Sequence, residues 1–217
     1  MVSNLNHLLR HRIFISLILA PYIILSTFNH KVFLVNIIII FFLSVYEWNR
    51  SINKIFDKAL GILIISIFSI ALFYINLENN INCIWLLLIV WISDIAGYYI
   101  GKKFGKKKLK VISPNKTFEG FFGSLFFSQF AFIFLIYNEI LENNFIYIFL
   151  LQITICISSI FGDLFFSYYK RKYGLKDYSK LLGDHGGVLD RIDGLVISSI
   201  CLLYTSDAAD EGLGVDL

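Results

Sequence analysis

Charge is scarce in this sequence. Asp, Glu, Lys and Arg make up only 16% of its 217 residues, against about 25% in soluble globular domains. Hydrophobic residues reach 57%, twenty-two of them Phe, so one aqueous core cannot hide the apolar surface and lipid must be the solvent. Cysteine is scarce too. Cys83, Cys156 and Cys201 sit singly inside apolar runs, a pattern of small hydrophobes rather than a metal site or disulfide framework. No Pro/Ser-rich linker and no internal repeat divides the chain, so residues 1–204 read as one domain. Neither GxxxxGK[ST] nor GxGxxG occurs, which removes the P-loop and dinucleotide-fold routes to a nucleotide. No Ser/His/Asp or Cys/His hydrolase arrangement stands out, and nucleic acid is not an expected partner.

What is abundant is long apolar sequence. A membrane helix needs about 20 mostly apolar residues. Ile13–Phe28, Val32–Tyr46, Ala59–Leu77, Cys83–Ile100, Phe118–Tyr137 and Phe145–Gly162 meet or approach that length, while Leu195–Tyr204 is short by itself. The expected fold is therefore an all-α integral membrane protein of six or seven transmembrane helices. Arg10 and Arg12 precede the first run as in a signal peptide, but more spans follow directly, which favours retention as an anchor.

The connecting segments alternate in charge. Eighteen of the nineteen basic residues fall at the N-terminus, in Arg50–Lys58, in Lys102–Lys116 and in Lys170–Arg191; the intervening segments hold only Lys31. The positive-inside rule reads this as a cytoplasmic N-terminus with both lysine-rich segments, the expected catalytic loops, on the cytoplasmic face. After Ile200 the apolar pattern gives way to an acidic, small-residue stretch. Residues 205–217 are thus expected to be an atypical tail, foreign or derived from truncation of the last helix.

The ionisable residues at span ends carry the chemistry. Asp94 lies near the end of an apolar run, where a carboxylate either faces a cavity or bundle interior or caps the interface. Asp163 is placed similarly. His185–Gly194 reads HGGVLDRIDG. Gly186 and Gly187 allow a tight turn or close backbone approach to a ligand, and Asp190 and Asp193 share one helical face, with Arg191 between them. Carboxylates beside lysines and glycines are what Mg²⁺-assisted phosphate chemistry needs; a surface ion-pair network reads the same way. His185 could serve as base or metal ligand, although a His beside Gly-Gly more often positions a loop or contacts phosphate. Headgroup anchoring accounts for most of Lys102–Lys110. It does not account for Ser113, Lys116 and Thr117, or for Glu119, which is costly beside a span without a partner.

The run Ser167–Asp193 resembles the signature of the phosphatidate cytidylyltransferase (CDP-diacylglycerol synthase) family, matched at Ser167, Lys170-Arg171, Lys176-Asp177, Ser179, Gly183, His185-Gly186-Gly187, Asp190-Arg191 and Asp193. Tyr169 departs from the usual aliphatic residue or Phe. Ile112–Gly120, Asp94 and Glu47-Trp48 fit as well. The resemblance implies transfer of CMP from CTP to phosphatidate, giving CDP-diacylglycerol and pyrophosphate; with no targeting signal beyond the spans, a bacterial plasma membrane is the expected location and an organelle membrane stays open. It assigns catalytic roles to Asp163, Asp190, Asp193, Lys170, Arg171 and His185. Mg²⁺ falls to Asp163 and Asp190, with a second cation left open. Substrate contacts fall to Asp94, Ser113, Lys116, Thr117, Glu119, Ser167, Lys176, Asp177, Gly186, Gly187 and Arg191. The partners implied are CTP, phosphatidate, membrane lipids and a second copy in a homodimer. A CTP-dependent polyprenol or phytol kinase is the nearest enzymatic alternative, disfavoured by the complete signature. A transporter, the alternative from another class, would spread its polar groups along a transmembrane path instead of gathering them at one end.

Overall fold

A computed structural model of the protein describes residues 18–108, 116–138, 145–183 and 186–213. Among these residues the chain is helical, with no strand beyond a single isolated bridge between Lys108 and Thr117. The helices are α1 (Ile18–Thr27), α2 (His30–Ser51), α3 (Ile55–Glu78), α4 (Asn80–Phe104), α5 (Phe118–Ser128), α6 (Phe132–Tyr137), α7 (Phe145–Lys172) and α8 (Leu189–Leu213). A 3₁₀ turn, Gln129–Ala131, joins α5 to α6, and Phe118–Tyr137 acts as one span. Five helices are long and apolar enough to cross a membrane, α1 being a shorter apolar helix.

The bundle is apolar outside and partly polar inside. Leu25, Phe42, Ile70, Phe122, Phe126 and Ile133 face outward, while Ser44, Asn76, Ser93, Ser128, Gln152 and Ser198 are buried. That arrangement suits lipid as solvent, where an exposed polar group is costly and internal partners are required. Gln152 shows how the requirement is met. Fully buried on α7, it accepts from Trp85 Nε1 (3.2 Å) and donates to the Ser128 carbonyl (2.6 Å), where α5 passes into its 3₁₀ turn.

The helices are longer than the apolar runs that announce them. α2 continues past Tyr46 to Ser51, and α7 past Gly162 to Lys172. α8 begins at Leu189 and runs through Leu213. Hydropathy stops at the first charged residue, but backbone hydrogen bonding does not, and the extra turns carry the polar chemistry. The basic last turns of α2, α4 and α7 (Arg50; Lys102 and Lys103; Lys170 to Lys172) complement the helix C-termini. Lys172 Nζ reaches Asp57 Oδ2 on α3 (2.6 Å) and Ser51 Oγ donates to the Tyr178 carbonyl (3.0 Å), so these turns share one end of the bundle. The other end is tied by Asn76, which donates to the Thr27 carbonyl and bonds His30.

Two close crossings fix the basic end. On α4, Gly97 and Gly101 lie against Gly120 and Thr117 at the start of α5, and Ser124 Oγ donates to the Ser93 carbonyl at 2.7 Å. A Cβ on Gly120 would sit 2.7 Å from the Gly97 carbonyl oxygen. The pattern is the small-xxx-small packing of membrane helices, written as Gly97-Gly101 on α4, followed by its C-cap Gly105, and Gly120-Ser124-Ser128 on α5. On α7, Gly162 lies against the Asp193 carbonyl and Gly194 of α8, which brings Asp163 and Asp193 to one crossing. Gly120→Ala is expected to destabilise the detergent-solubilised protein by about 1–3 kcal/mol, the range for overpacking. An unchanged thermal unfolding midpoint contradicts this packing.

Candidate active site

Between α4, α5 and α7, at the basic end, lies a cavity of about 280 Å³. Asp94, Lys116, Thr117 and Asp163 line it with Ser93, Gly97, Tyr98, Gly120, Phe121, Ser124 and Ile160. Its wall thus combines ionic groups with apolar and aromatic ones. Lys116, from the segment before α5, pairs with Asp163 on α7. Ser167, one turn further along α7, donates to Asp163 Oδ1 at 3.2 Å. Asp94 keeps access to solvent through the cavity. Asp94, Asp163 and Asp193 are close enough to repel one another electrostatically, with Lys116, Lys170 and Arg191 the compensating cations.

Behind this cavity the described loop residues 173–183 and 186–188 are held by two carboxylates. Asp190 Oδ1 accepts from Lys170 Nζ (2.7 Å), and Oδ2 accepts from the backbone amides of Tyr178 and Gly187 (2.9 Å each). The pair is nearly sealed, with side-chain exposures of 12% for Lys170 and 3% for Asp190. Glu47, on α2, is 1% exposed. It accepts from Ser179 Oγ (2.5 Å), Val188 N (2.9 Å) and Leu189 N (2.8 Å). Beneath the loop, Trp48 packs on Phe166, Tyr169 and Tyr178 at ring separations of 5.8, 5.1 and 5.7 Å. Tyr178 donates its hydroxyl to the Phe166 carbonyl (2.9 Å). Burial first, then the charges of Asp190 and Asp193, push its phenol well above the ordinary tyrosine range.

Several residues singled out from sequence turn out to be engaged inside the protein. Gly186, at φ +80°, and Gly187 belong to the loop lock: a Cβ on Gly187 would sit 2.6 Å from Glu47, so the glycines admit a protein carboxylate at close range. Thr117 is buried, caps α5 by accepting from Gly120 N (3.1 Å), and packs on Gly101 and Gly105. Glu119 finds its partner in the Lys107 amide (3.3 Å), away from the cavity lining. Arg171 donates to the Leu175 carbonyl (3.3 Å) and is exposed, as are Lys176, Asp177 and Arg191. Ser113 and His185 lie outside the described residues. The cavity-lining residues Ser93, Gly97, Tyr98, Phe121, Ser124 and Ile160 escaped sequence reading; the small-residue spacing of α4 and α5 was the signal for three of them.

The donor set bears on a metal ion. Among the described residues no three His, Cys, Asp or Glu side chains form a closed cage. Mg²⁺ commonly uses one or two carboxylates, keeping its other positions for water and substrate phosphate. Asp163, partly exposed on the cavity, fits that description once Lys116 leaves its Oδ2, since Ser167 holds only Oδ1. Asp190, with both oxygens taken, fits only if Lys170 gives up its place.

Fold and cavity together define an all-helical integral membrane protein with a carboxylate- and lysine-lined site at one end of its bundle. Residues 4–207 match the Cytidylyltransferase family, and the chain belongs to that family. It is 40% identical over 132 residues to a phosphatidate cytidylyltransferase of Aquifex aeolicus, covering 59% of this chain and 49% of the relative. Phosphatidate cytidylyltransferases of Helicobacter pylori (39% over 119 residues, 55% and 44% covered) and Staphylococcus aureus (46% over 109 residues, 49% and 41% covered) are similar as well. The chain spans about half the length of the curated relatives it matches.

Asp190→Ala strands the Lys170 ammonium and two loop amides, a loss of about 3–5 kcal/mol on the scale of broken buried pairs. Trypsin is expected to cut after Lys176 and Lys180 much faster in this variant; equal cleavage rates contradict the lock.

Proposed function

We propose that the protein transfers CMP from CTP to phosphatidate at the cytoplasmic face of a bacterial inner membrane, with its N-terminus on that side. The observation that carries this reading is the cavity itself. Asp94, Lys116 and Asp163 supply ionic groups beside Tyr98, Phe121 and Ile160, a combination suited to a substrate that is half phosphate and half lipid. The relatives' names and the Ser167–Asp193 signature support the same reaction, and the charge alternation supports the orientation.

In the proposed reaction a phosphate oxygen of phosphatidate attacks the α-phosphorus of CTP. A new P–O–P bond forms, the bond to the β-phosphate oxygen breaks, and pyrophosphate departs with that electron pair. No protein nucleophile is needed, so catalysis rests on positioning and charge neutralisation. Lys116 neutralises the nucleotide phosphates on exchanging its Asp163 partner for them. Lys170 and Arg171, on the last turn of α7, meet the lipid phosphate while the acyl chains stay in the bilayer. Ser167 holds the Asp163 carboxylate in place. Mg²⁺, when bound, would be held by Asp163, with Asp190 as a second ligand if Lys170 gives up its place, and would offset phosphate charge.

Membranes carrying the chain, supplied with labelled CTP, phosphatidate and Mg²⁺, are expected to form CDP-diacylglycerol. Asp163→Asn and Lys116→Met should each lower the rate by about 10²-fold or more, the scale of a lost charge-stabilising group. Product formation no greater than in Asp163→Asn membranes contradicts the assignment.

A further inference from the structure

We infer that Glu47 is a positioning residue for the site: it anchors the loop carrying Lys176 to Val188, and the start of α8, to helix α2. The inference deepens the proposed transfer reaction and rests on it for its kinetic arm. Glu47 lies about 140 residues before the segment it holds, since its bonds to Val188 and Leu189 span 141 and 142 positions. It forms no ion pair among the described residues. Among the described residues its donors are the hydroxyl of Ser179 and the amides of Val188 and Leu189.

Amides at a helix N-terminus form a ready anion site. Here the protein fills it from within. Gly187 N goes to Asp190 while Val188 N and Leu189 N go to Glu47, so three successive amides are closed to substrate phosphate and used to fix the backbone. Gly187 is required for this, because a Cβ there would collide with both Glu47 oxygens. The same stretch begins α8, whose first turns carry Asp190 and Asp193, and Asp190 fixes Lys170. Glu47 therefore touches no cavity-lining group, yet it sets the backbone from which the acidic residues of α8 project. Trp48, its neighbour, donates to the Asp57 carbonyl (3.2 Å) and packs against Gly61, both on α3, so the anchor point on α2 is itself fixed to α3.

The test uses the full chain in lipid nanodiscs, with Glu47→Gln, Ser179→Ala and the double variant. The Gln amide group turns a donor toward the loop's N–H groups, while Ser179→Ala removes one bond and leaves the fold intact. Hydrogen exchange is read across residues 176–189 and across the rest of the bundle, beside kcat and KM for CTP and phosphatidate. Glu47→Gln is expected to speed exchange in that loop selectively and to lower kcat by about 10²-fold, as a misplacement near 1 Å does, with KM for CTP changed far less. Ser179→Ala should act in the same direction more weakly, and its effect should largely vanish in the Glu47→Gln background, as for residues in one network. Unchanged loop exchange in Glu47→Gln overturns the inference, as does uniform loosening of the whole bundle with kcat per folded molecule preserved. If the unaltered chain makes no CDP-diacylglycerol, the reaction assignment fails, and the exchange and additivity results still decide whether Glu47 anchors the loop.

Discussion

A carboxylate removed from water must find donors, and at the basic end of this bundle that constraint organises everything else. Asp190 gathers Lys170 and two loop amides; Glu47 gathers a hydroxyl and two more amides. Between them they draw together the end of α7, the following loop, the start of α8 and the end of α2. Lipid explains why such ties are needed, because the outer faces of the helices gain little by associating with one another in hydrocarbon. Polar bonds and close glycine crossings do the specifying instead.

The site inherits its shape from those ties. Gly162 against Asp193 and Gly194 sets α7 on α8, and the Gly97–Gly120 crossing sets α4 on α5. Asp94, Lys116 and Asp163, contributed by separate segments, then line one cavity. The Lys116–Asp163 and Lys170–Asp190 pairs place a cation on each carboxylate proposed to hold Mg²⁺.

Much of this was legible in the residues. The apolar runs located the spans, since a helix in lipid must be apolar over a fixed length, and Asp94, Asp163 and Lys116 stood out because ionisable groups are expensive there. What hydropathy could not show was how far α2 and α7 continue past their first charged residue, and that added turn carries Glu47 in one case and Lys170 in the other. Partnership was hidden as well. Gly186-Gly187 looked like an approach for a ligand, and the approaching group is Glu47, remote in sequence. Thr117 read as a phosphate contact and Glu119 as a substrate contact in need of a partner, while helix capping engages the Thr117 hydroxyl and the Lys107 amide is the partner Glu119 takes. Local sequence shows that a polar group needs a partner; only the packed helices show which one it takes.

The proposed reaction requires nucleotide to bind at the basic end, in the cavity between α4, α5 and α7. Hydrogen exchange of the chain in lipid nanodiscs, with and without CTP and Mg²⁺, tests it directly. Slowed exchange is expected in peptides covering residues 93–108, 116–124 and 160–167. No protection, or protection centred on the opposite end around Asn29 and Asn79, would contradict it.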